Sequence, residues 1–300
     1  MTLAADRLCK SFGEKKALDL LSFSAVSGRP LGLLGRNGAG KTTVMRIIAK
    51  IYKADSGSVL LDGTELGGNV SVGYLPEERG LYRKSRVDEQ LRYFALLRGI
   101  PENAAAKEVK SKLELFGVSE YSRMTPETLS KGTSQRVQLA LSMLGDPDVL
   151  ILDEPFSGLD PVNAASLKKI IGDYARRGKI IILSSHEMSA AEDFCRDIVI
   201  LKNGRCVLSG DLAEIRHERS GGKLLVRTEN DCTELLSRFG TVSRSENGLT
   251  VELFEPGCAS ALAEEVASSG AGLLHFEHIE PTLEEIFISC AGDEEVAENE

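Results

Sequence analysis

No stretch of this 300-residue sequence approaches the roughly 18 consecutive apolar residues that a membrane-spanning helix needs. Its longest apolar runs, such as Val149–Leu152 and Ile180–Leu183, are strand-sized. The opening residues, MTLAADRLCKSFG, lack an apolar signal core, which sets the expectation of a cytoplasmic protein. Paired cysteines are missing as well. Cys9, Cys195, Cys206, Cys232, Cys258 and Cys290 are scattered without metal-type spacing and read as free thiols in a reducing compartment. Positive charge is scarce: 36 basic residues face 45 acidic ones, a net charge of −9, so no nucleic-acid partner is expected. What remains, 42% hydrophobic and 27% charged, describes a globular chain with one larger domain and a smaller appendage.

The first 34 residues read as strands, ending in the short apolar strand Leu31–Leu34 after Pro30. A glycine-rich loop and a helix beginning near Lys41 follow, then strand-like pieces at Ser58–Leu61 and Val72–Leu75. From about Val87 to Leu144 the pattern is helical, broken at Pro101 and again around Thr125–Pro126. Strands and helices then alternate: Val149–Leu152, a helix from Val162 to Arg177, Ile180–Leu183, Ile198–Leu201 and Cys206–Leu208. That alternation predicts a largely parallel sheet covered by helices, with the helical stretch inserted into it. After a helix at Leu212–Arg219 and a Ser220-Gly221-Gly222 linker, a second pattern begins. Strands are expected at 223–227, 242–245, 248–253 and 273–279, and helices at 231–239 and 257–269. Asn247-Gly248 supplies a hairpin signal, and the βαββαβ order matches a ferredoxin-like sandwich. Five of the last eight residues are acidic, which reads as a solvated tail over 291–300.

Three motifs carry chemistry. Gly35-Arg36-Asn37-Gly38-Ala39-Gly40-Lys41-Thr42 fits G-x-x-x-x-G-K-[ST] between an apolar strand and a helix. Its glycines let backbone N–H groups turn inward around phosphate oxygens, and the positive end of the helix faces the anion. Lys41 would reach the β- and γ-phosphates, and the Thr42 hydroxyl would ligate magnesium. Val149–Leu152 runs into Asp153 and Glu154: the first is placed to hold magnesium at the strand end, the second to polarise an attacking water. Alone, an apolar strand ending in acids is common; paired with the phosphate loop it points to nucleotide hydrolysis. Leu129-Ser130-Lys131-Gly132-Thr133-Ser134-Gln135 offers a hydroxyl and helix-start N–H groups to an anion, although a plain helix cap has the same local pattern.

With that third motif the chain resembles the ATP-binding cassette (ABC) ATPases, whose signature runs L-S-x-G-x-x-Q before a helix. The resemblance covers residues 1–215 with ordered motifs. It implies a P-loop α/β cassette with a nucleotide-binding core at 1–86 and 146–215, a helical signature subdomain at 87–145, and a small α+β C-terminal domain at 220–290. Ser157-Gly158-Leu159-Asp160 resembles the loop that crosses between subunits, and His186 the histidine that contacts the γ-phosphate. Phe12 resembles the aromatic that stacks on adenine, where tyrosine is more usual. Glu77 stands where the family usually has a magnesium-serving glutamine. The implied ATP-binding set is Phe12, Gly35, Arg36, Asn37, Gly38, Ala39, Gly40, Lys41, Thr42, Thr43, Ser130, Gly132 and Gln135. Glu154 and His186 are the implied catalytic pair, and Thr42, Asp153 and Glu77 the magnesium ligands. The segments Tyr74–Tyr82 and Glu280–Phe287 resemble sodium- and drug-extruding members. The resemblance therefore implies an ATPase subunit, peripheral on the inner face of the membrane, with a separate permease and a second cassette, identical or different, as partners. The alternative is a soluble ABC ATPase acting in translation or DNA repair. Those types usually carry two cassettes or long coiled coils, and neither feature is found in this sequence.

Overall fold

The computed structural model describes residues 1–68, 70–78, 80–245 and 248–291. The acidic run at 293–300, Arg79 and the Asn247 of the hairpin signal lie outside the described residues. Two compact units divide the chain: Met1–Asp211 together with the residues from Cys290 on, and Leu212–Ser289.

In the first unit, β1 (Thr2–Phe12) and β2 (Lys15–Val26) pair antiparallel through the tight turn at Gly13-Glu14. β3 (Leu31–Gly35), buried at every position, runs into the glycine-rich loop and α1 (Lys41–Ile48). β4 (Ser56–Leu61) and β5 (Thr64–Glu65) complete a four-stranded antiparallel sheet ordered β2-β1-β4-β5. β6 (Val72–Leu75) then enters the second sheet. α2 (Val87–Leu97), α3 (Glu102–Leu115) and α4 (Lys131–Ser142) form the helical insertion. Buried residues recur at helical spacing along α2 (Val87, Leu91, Ala95) and α3 (Ala105, Val109, Leu113). Pro101 stands at the N-cap of α3, where its missing N–H costs nothing. β7 (Val149–Leu152), α5 (Pro161–Arg176), β8 (Ile180–Ser184), α6 (Met188–Phe194), β9 (Asp197–Lys202) and β10 (Arg205–Asp211) close the unit. Asp160 caps α5 by accepting from the Asn163 N–H at 3.0 Å, with Pro161 at the first helical position.

The second sheet is ordered β10-β9-β3-β8-β7-β6, parallel throughout except for the antiparallel β9–β10 pair. Its strands β3, β7 and β8 are buried at every residue, as continuous Leu/Ile/Val runs require when a sheet is covered on both faces. Each fully buried Leu, Ile or Val there contributes about 1.5–3 kcal/mol. Arg29, just before β3, donates to Asp197 through Nε at 2.7 Å and to Asp211 at 2.9 Å, tying the sheet's outer strands to its centre. Both carboxylates hold the Arg29 guanidinium protonated. Register does the rest: Leu75 pairs with Leu152, Leu152 with Leu183, and Leu33 with Ser184. The carboxyl ends of β3, β6, β7 and β8 thus fall side by side, where open α/β sheets bind ligands.

The second unit opens with α7 (Leu212–Glu218), so the break falls at Asp211–Leu212, and Ser220-Gly221-Gly222 is a turn inside this unit. Arg216 holds α7 there, donating to the Pro281 carbonyl at 3.0 Å. β11 (Lys223–Thr228), α8 (Thr233–Leu236), β12 (Gly240–Ser245), β13 (Gly248–Leu253), α9 (Ala259–Ser268), β14 (Leu273–His278) and α10 (Leu283–Ala291) follow. The sheet is antiparallel in the order β12-β13-β11-β14, the ferredoxin-like order of a βαββαβ unit. Leu224, Val226, Leu236, Val251, Leu262 and Val266 make its core.

Candidate nucleotide site

The loop between β3 and α1 owes its path to glycine. Gly40, at the N-cap of α1, has φ +109°, and a Cβ there would meet the Ala17 carbonyl oxygen at 2.7 Å and Leu18 Cδ2 at 2.8 Å. Only a residue without a side chain fits such a cradle. Lys41 bends back over the loop, and its Nζ donates to the carbonyls of Gly35 at 2.5 Å and Arg36 at 3.3 Å. Burial pushes the Lys41 ammonium pKa below the ordinary lysine value, and the nearby carboxylates of Glu154, Asp153 and Glu77 oppose that shift.

A cleft of about 340 Å³ opens above this loop. Asn37 to Thr43 form its floor, and Phe12, Lys15 and Ala17 form one wall. Glu77, Asp153, Glu154 and His186 form the other. Residues at the carboxyl ends of five strands, β1, β3, β6, β7 and β8, therefore converge on one space. Phe12 is 47% exposed at the wall of the cleft, meets Tyr52 edge-on at 5.5 Å and carries the Lys10 ammonium over its ring at 5.5 Å.

The acids at the end of β7 are held tightly. Asp153 is 2% exposed; its Oδ1 accepts a 2.6 Å hydrogen bond from the Ser184 hydroxyl, and its Oδ2 is buried without a partner in the protein. Glu154 adopts φ +52°, a left-handed conformation uncommon outside glycine. Its backbone N–H donates to Ser184 Oγ at 3.0 Å, and its Oε2 lies 2.8 Å from His186 Nδ1. Among the described residues no group of three or more His, Cys, Asp or Glu could hold a metal by themselves. A magnesium ion ordinarily takes one or two protein oxygens and completes its shell with substrate phosphates and water. Thr42 and the unpartnered Asp153 Oδ2 fit that pattern, and Glu77 adds a carboxylate to the same cleft.

Gly35 and Arg36 do not line the cleft; their carbonyls hold Lys41 from below. Ser130, Gly132 and Gln135 lie elsewhere. Ser130 caps α4, accepting from the Thr133 N–H at 3.1 Å, and Gln135 Nε2 donates to the Pro155 carbonyl at 3.3 Å. Three residues of the site, Lys15, Ala17 and Ser184, went unnoticed in the sequence; Ala17 joins the same wall from β2. Lys15 is brought to the cleft by the β1–β2 turn, and its only signal was adjacency to Phe12. Ser184 is buried at the end of β8, and a serine closing an apolar run carries no signal until strand register sets it beside Asp153.

No helix among the described residues is long and apolar enough to cross a membrane. The ABC transporter family matches residues 18–157, and the C-terminal domain of DrrA1-3-like ATP-binding proteins matches residues 210–291. The chain is 37% identical to the ABC transporter ATP-binding protein YhaQ of Bacillus subtilis over 97% of its own length and 98% of that protein's. It is 29% identical to Nod factor export ATP-binding protein I of Ralstonia nicotianae, over 97% and 94% of the two chains. A solved ATP-binding subunit of an ABC transporter superposes with a TM-score of 0.66 at 30% identity, over 73% of this chain and 93% of that one. With a cassette fold, a phosphate-loop cleft and a relative matched from end to end, this chain belongs to the ATP-binding proteins of ABC transporters, and is an ATP-hydrolysing cassette of that family.

Proposed function

We propose that the chain hydrolyses ATP at a site completed by a second cassette, and that the resulting closure and opening drive export through a separate membrane permease. The carrying observation is that Ser130 and Gly132 do not line the cleft of their own chain, while every other nucleotide-facing motif does. An anion-binding helix start that lies outside the cleft of its own chain can serve the phosphate loop of a partner. Both halves are encoded in one chain, so a homodimer suffices.

Within the cleft, Lys41 and the N–H groups of the loop hold the phosphates, and Phe12 offers its ring to adenine. Glu154 accepts the proton of the attacking water as its oxygen bonds to the γ-phosphorus; the bond to the bridging oxygen breaks, leaving ADP and phosphate. His186, 2.8 Å from the Glu154 carboxylate, orients that base. Magnesium, held by Thr42, Asp153 and Glu77, would neutralise charge on the phosphate oxygens when bound with the nucleotide.

The export direction rests on likeness: the name of the Ralstonia relative, the DrrA-like C-terminal match, and the wording of Tyr74–Tyr82. The permease contact is assigned to Arg79–Tyr82; Tyr82 is 56% exposed and stacks on Phe94. Such a contact would hold the chain on the inner face of the membrane. Mixing tests the shared site. Lys41→Ala and Ser130→Arg chains, each inactive alone, should regain partial ATPase activity together, because the mixed dimer keeps one intact composite site. Normal turnover by a monomeric Ser130→Arg chain would end the reading.

A further inference from the structure

We infer that Ser184 is a positioning residue for ATP hydrolysis, setting both acids of the site through one buried hydroxyl. The inference rests on Asp153 and Glu154 serving as proposed above. Ser184 is fully buried, and its Oγ has two partners. It donates to Asp153 Oδ1 at 2.6 Å and accepts from the Glu154 N–H at 3.0 Å. A hydroxyl has one hydrogen to give, so the two bonds define its direction.

Each bond has a consequence. The first occupies Oδ1 and leaves Oδ2 as the buried oxygen of Asp153 without a protein partner. A buried polar atom left unpaired in a folded protein calls for a ligand, and here it belongs to a cleft residue beside the phosphate loop. Without Ser184 the carboxylate could turn either oxygen to the cleft. The second bond anchors the backbone of Glu154 in its left-handed conformation, a state that persists only where surrounding bonds over-determine it. That conformation delivers the Glu154 carboxylate to His186. Strand register makes the arrangement possible: Ser184 is the last residue of β8, one step beyond the Leu152–Leu183 pair, hence level with the point where β7 gives way to the acids.

Serine, threonine, valine and alanine at position 184 separate this from simple packing. Threonine and valine fill nearly the same volume and differ in the hydroxyl, so their comparison isolates the hydrogen bonds whatever the added methyl does. Loss of an outer-shell partner typically costs roughly 10- to 100-fold in metal affinity or activity. Ser184→Ala and Ser184→Val should therefore lower kcat by roughly 10- to 100-fold with little change in the KM for ATP, and Ser184→Thr should regain most of that loss. A second readout needs no turnover: Mn²⁺ binding in the presence of ADP, followed by paramagnetic resonance, should weaken in Ala and Val but not in Thr, while ADP affinity in EDTA stays level. Equal kcat and Mn²⁺ affinity in Thr and Val would overturn the inference. Glu154→Gln, measured alongside, separates the two levels. If it keeps normal turnover, the assignment of the acids has failed; if it abolishes turnover while Val matches Thr, only the role of Ser184 has.

Discussion

Replacing Gly40 by alanine tests whether the phosphate loop is fixed by steric necessity. An L-residue in the left-handed region costs roughly 1–2 kcal/mol, and Gly40 has φ +109°. Its added methyl would also press on the Ala17 carbonyl oxygen at 2.7 Å and on fully buried Leu18 at 2.8 Å. The carbonyl is backbone and the Leu18 methyl is enclosed in the core, so neither yields freely, and overpacking of that kind costs typically 1–3 kcal/mol. Gly13→Ala is the control, because Gly13 has φ +60° but nothing within 4 Å of the new methyl. Both variants incur the backbone cost, so Gly40→Ala should be less stable than Gly13→Ala by about 1–3 kcal/mol. For a unit of this size that is a melting temperature lower by roughly 2–12 °C. Thermal unfolding of the full chain, followed by circular dichroism with and without ATP, gives the answer. Gly13→Ala should also keep the stabilisation that saturating ATP confers, about 2.7 kcal/mol at a hundred times Kd, whereas Gly40→Ala should lose most of it. Equal melting temperatures for the two variants would refute the steric argument.

Further expectations follow from other parts of the molecule. Phe12→Ala should weaken ATP binding by about 1–3 kcal/mol, the usual worth of a base stacked on an aromatic ring, while Phe12→Trp should retain it; fluorescence titration with a nucleotide analogue reads the difference. Burial pushes the Cys195 thiol up to about 12, whereas hydrogen bonds from Ser56 and the Leu20 N–H hold the Cys9 thiol below the ordinary value. The thiolate is the reacting form, so at pH 8 iodoacetamide should label Cys9 well before Cys195, and peptide mapping would detect the reverse order. Leu283 and Ile286 are buried within the single chain, so their face is not a free surface for a partner. Leu283→Ala should then cost about 2–5 kcal/mol of stability without altering self-association, a point that sedimentation and chemical unfolding check together.

What the sequence disclosed, and what it hid, divides along physical lines. β7 begins and ends where its apolar run does, because a strand buried on both faces must be apolar throughout. The phosphate loop was legible because glycine spacing and the strand-to-helix context are local. Locality failed in the second unit. The helix expected over 231–239 shrinks to Thr233–Leu236, since Asp231 caps the Thr233 N–H at 3.0 Å and Ser237 bonds back to the Thr233 carbonyl at 2.7 Å. Side chains that bond to nearby backbone compete with helix in this way. Gly240 and Thr241 are drawn into β12 instead, pairing with Leu253 and Glu252. The spacing of Leu283 and Ile286 puts both on one face of α10 but does not say what covers it. Ser184 and the Arg29–Asp197 pair are long-range facts, the latter spanning 168 positions, and no local pattern encodes them.

The measurement closest to the centre of the account is turnover and self-association of Glu154→Gln. Its carboxylate is 11% exposed and lies 2.8 Å from His186, and an amide there keeps the shape while losing the base. Hydrolysis should fall by roughly two or more orders of magnitude, ATP should stay bound, and sedimentation with ATP should show a dimer that the same protein without nucleotide does not form. Near-normal turnover, or a variant that stays monomeric with ATP bound, would contradict it.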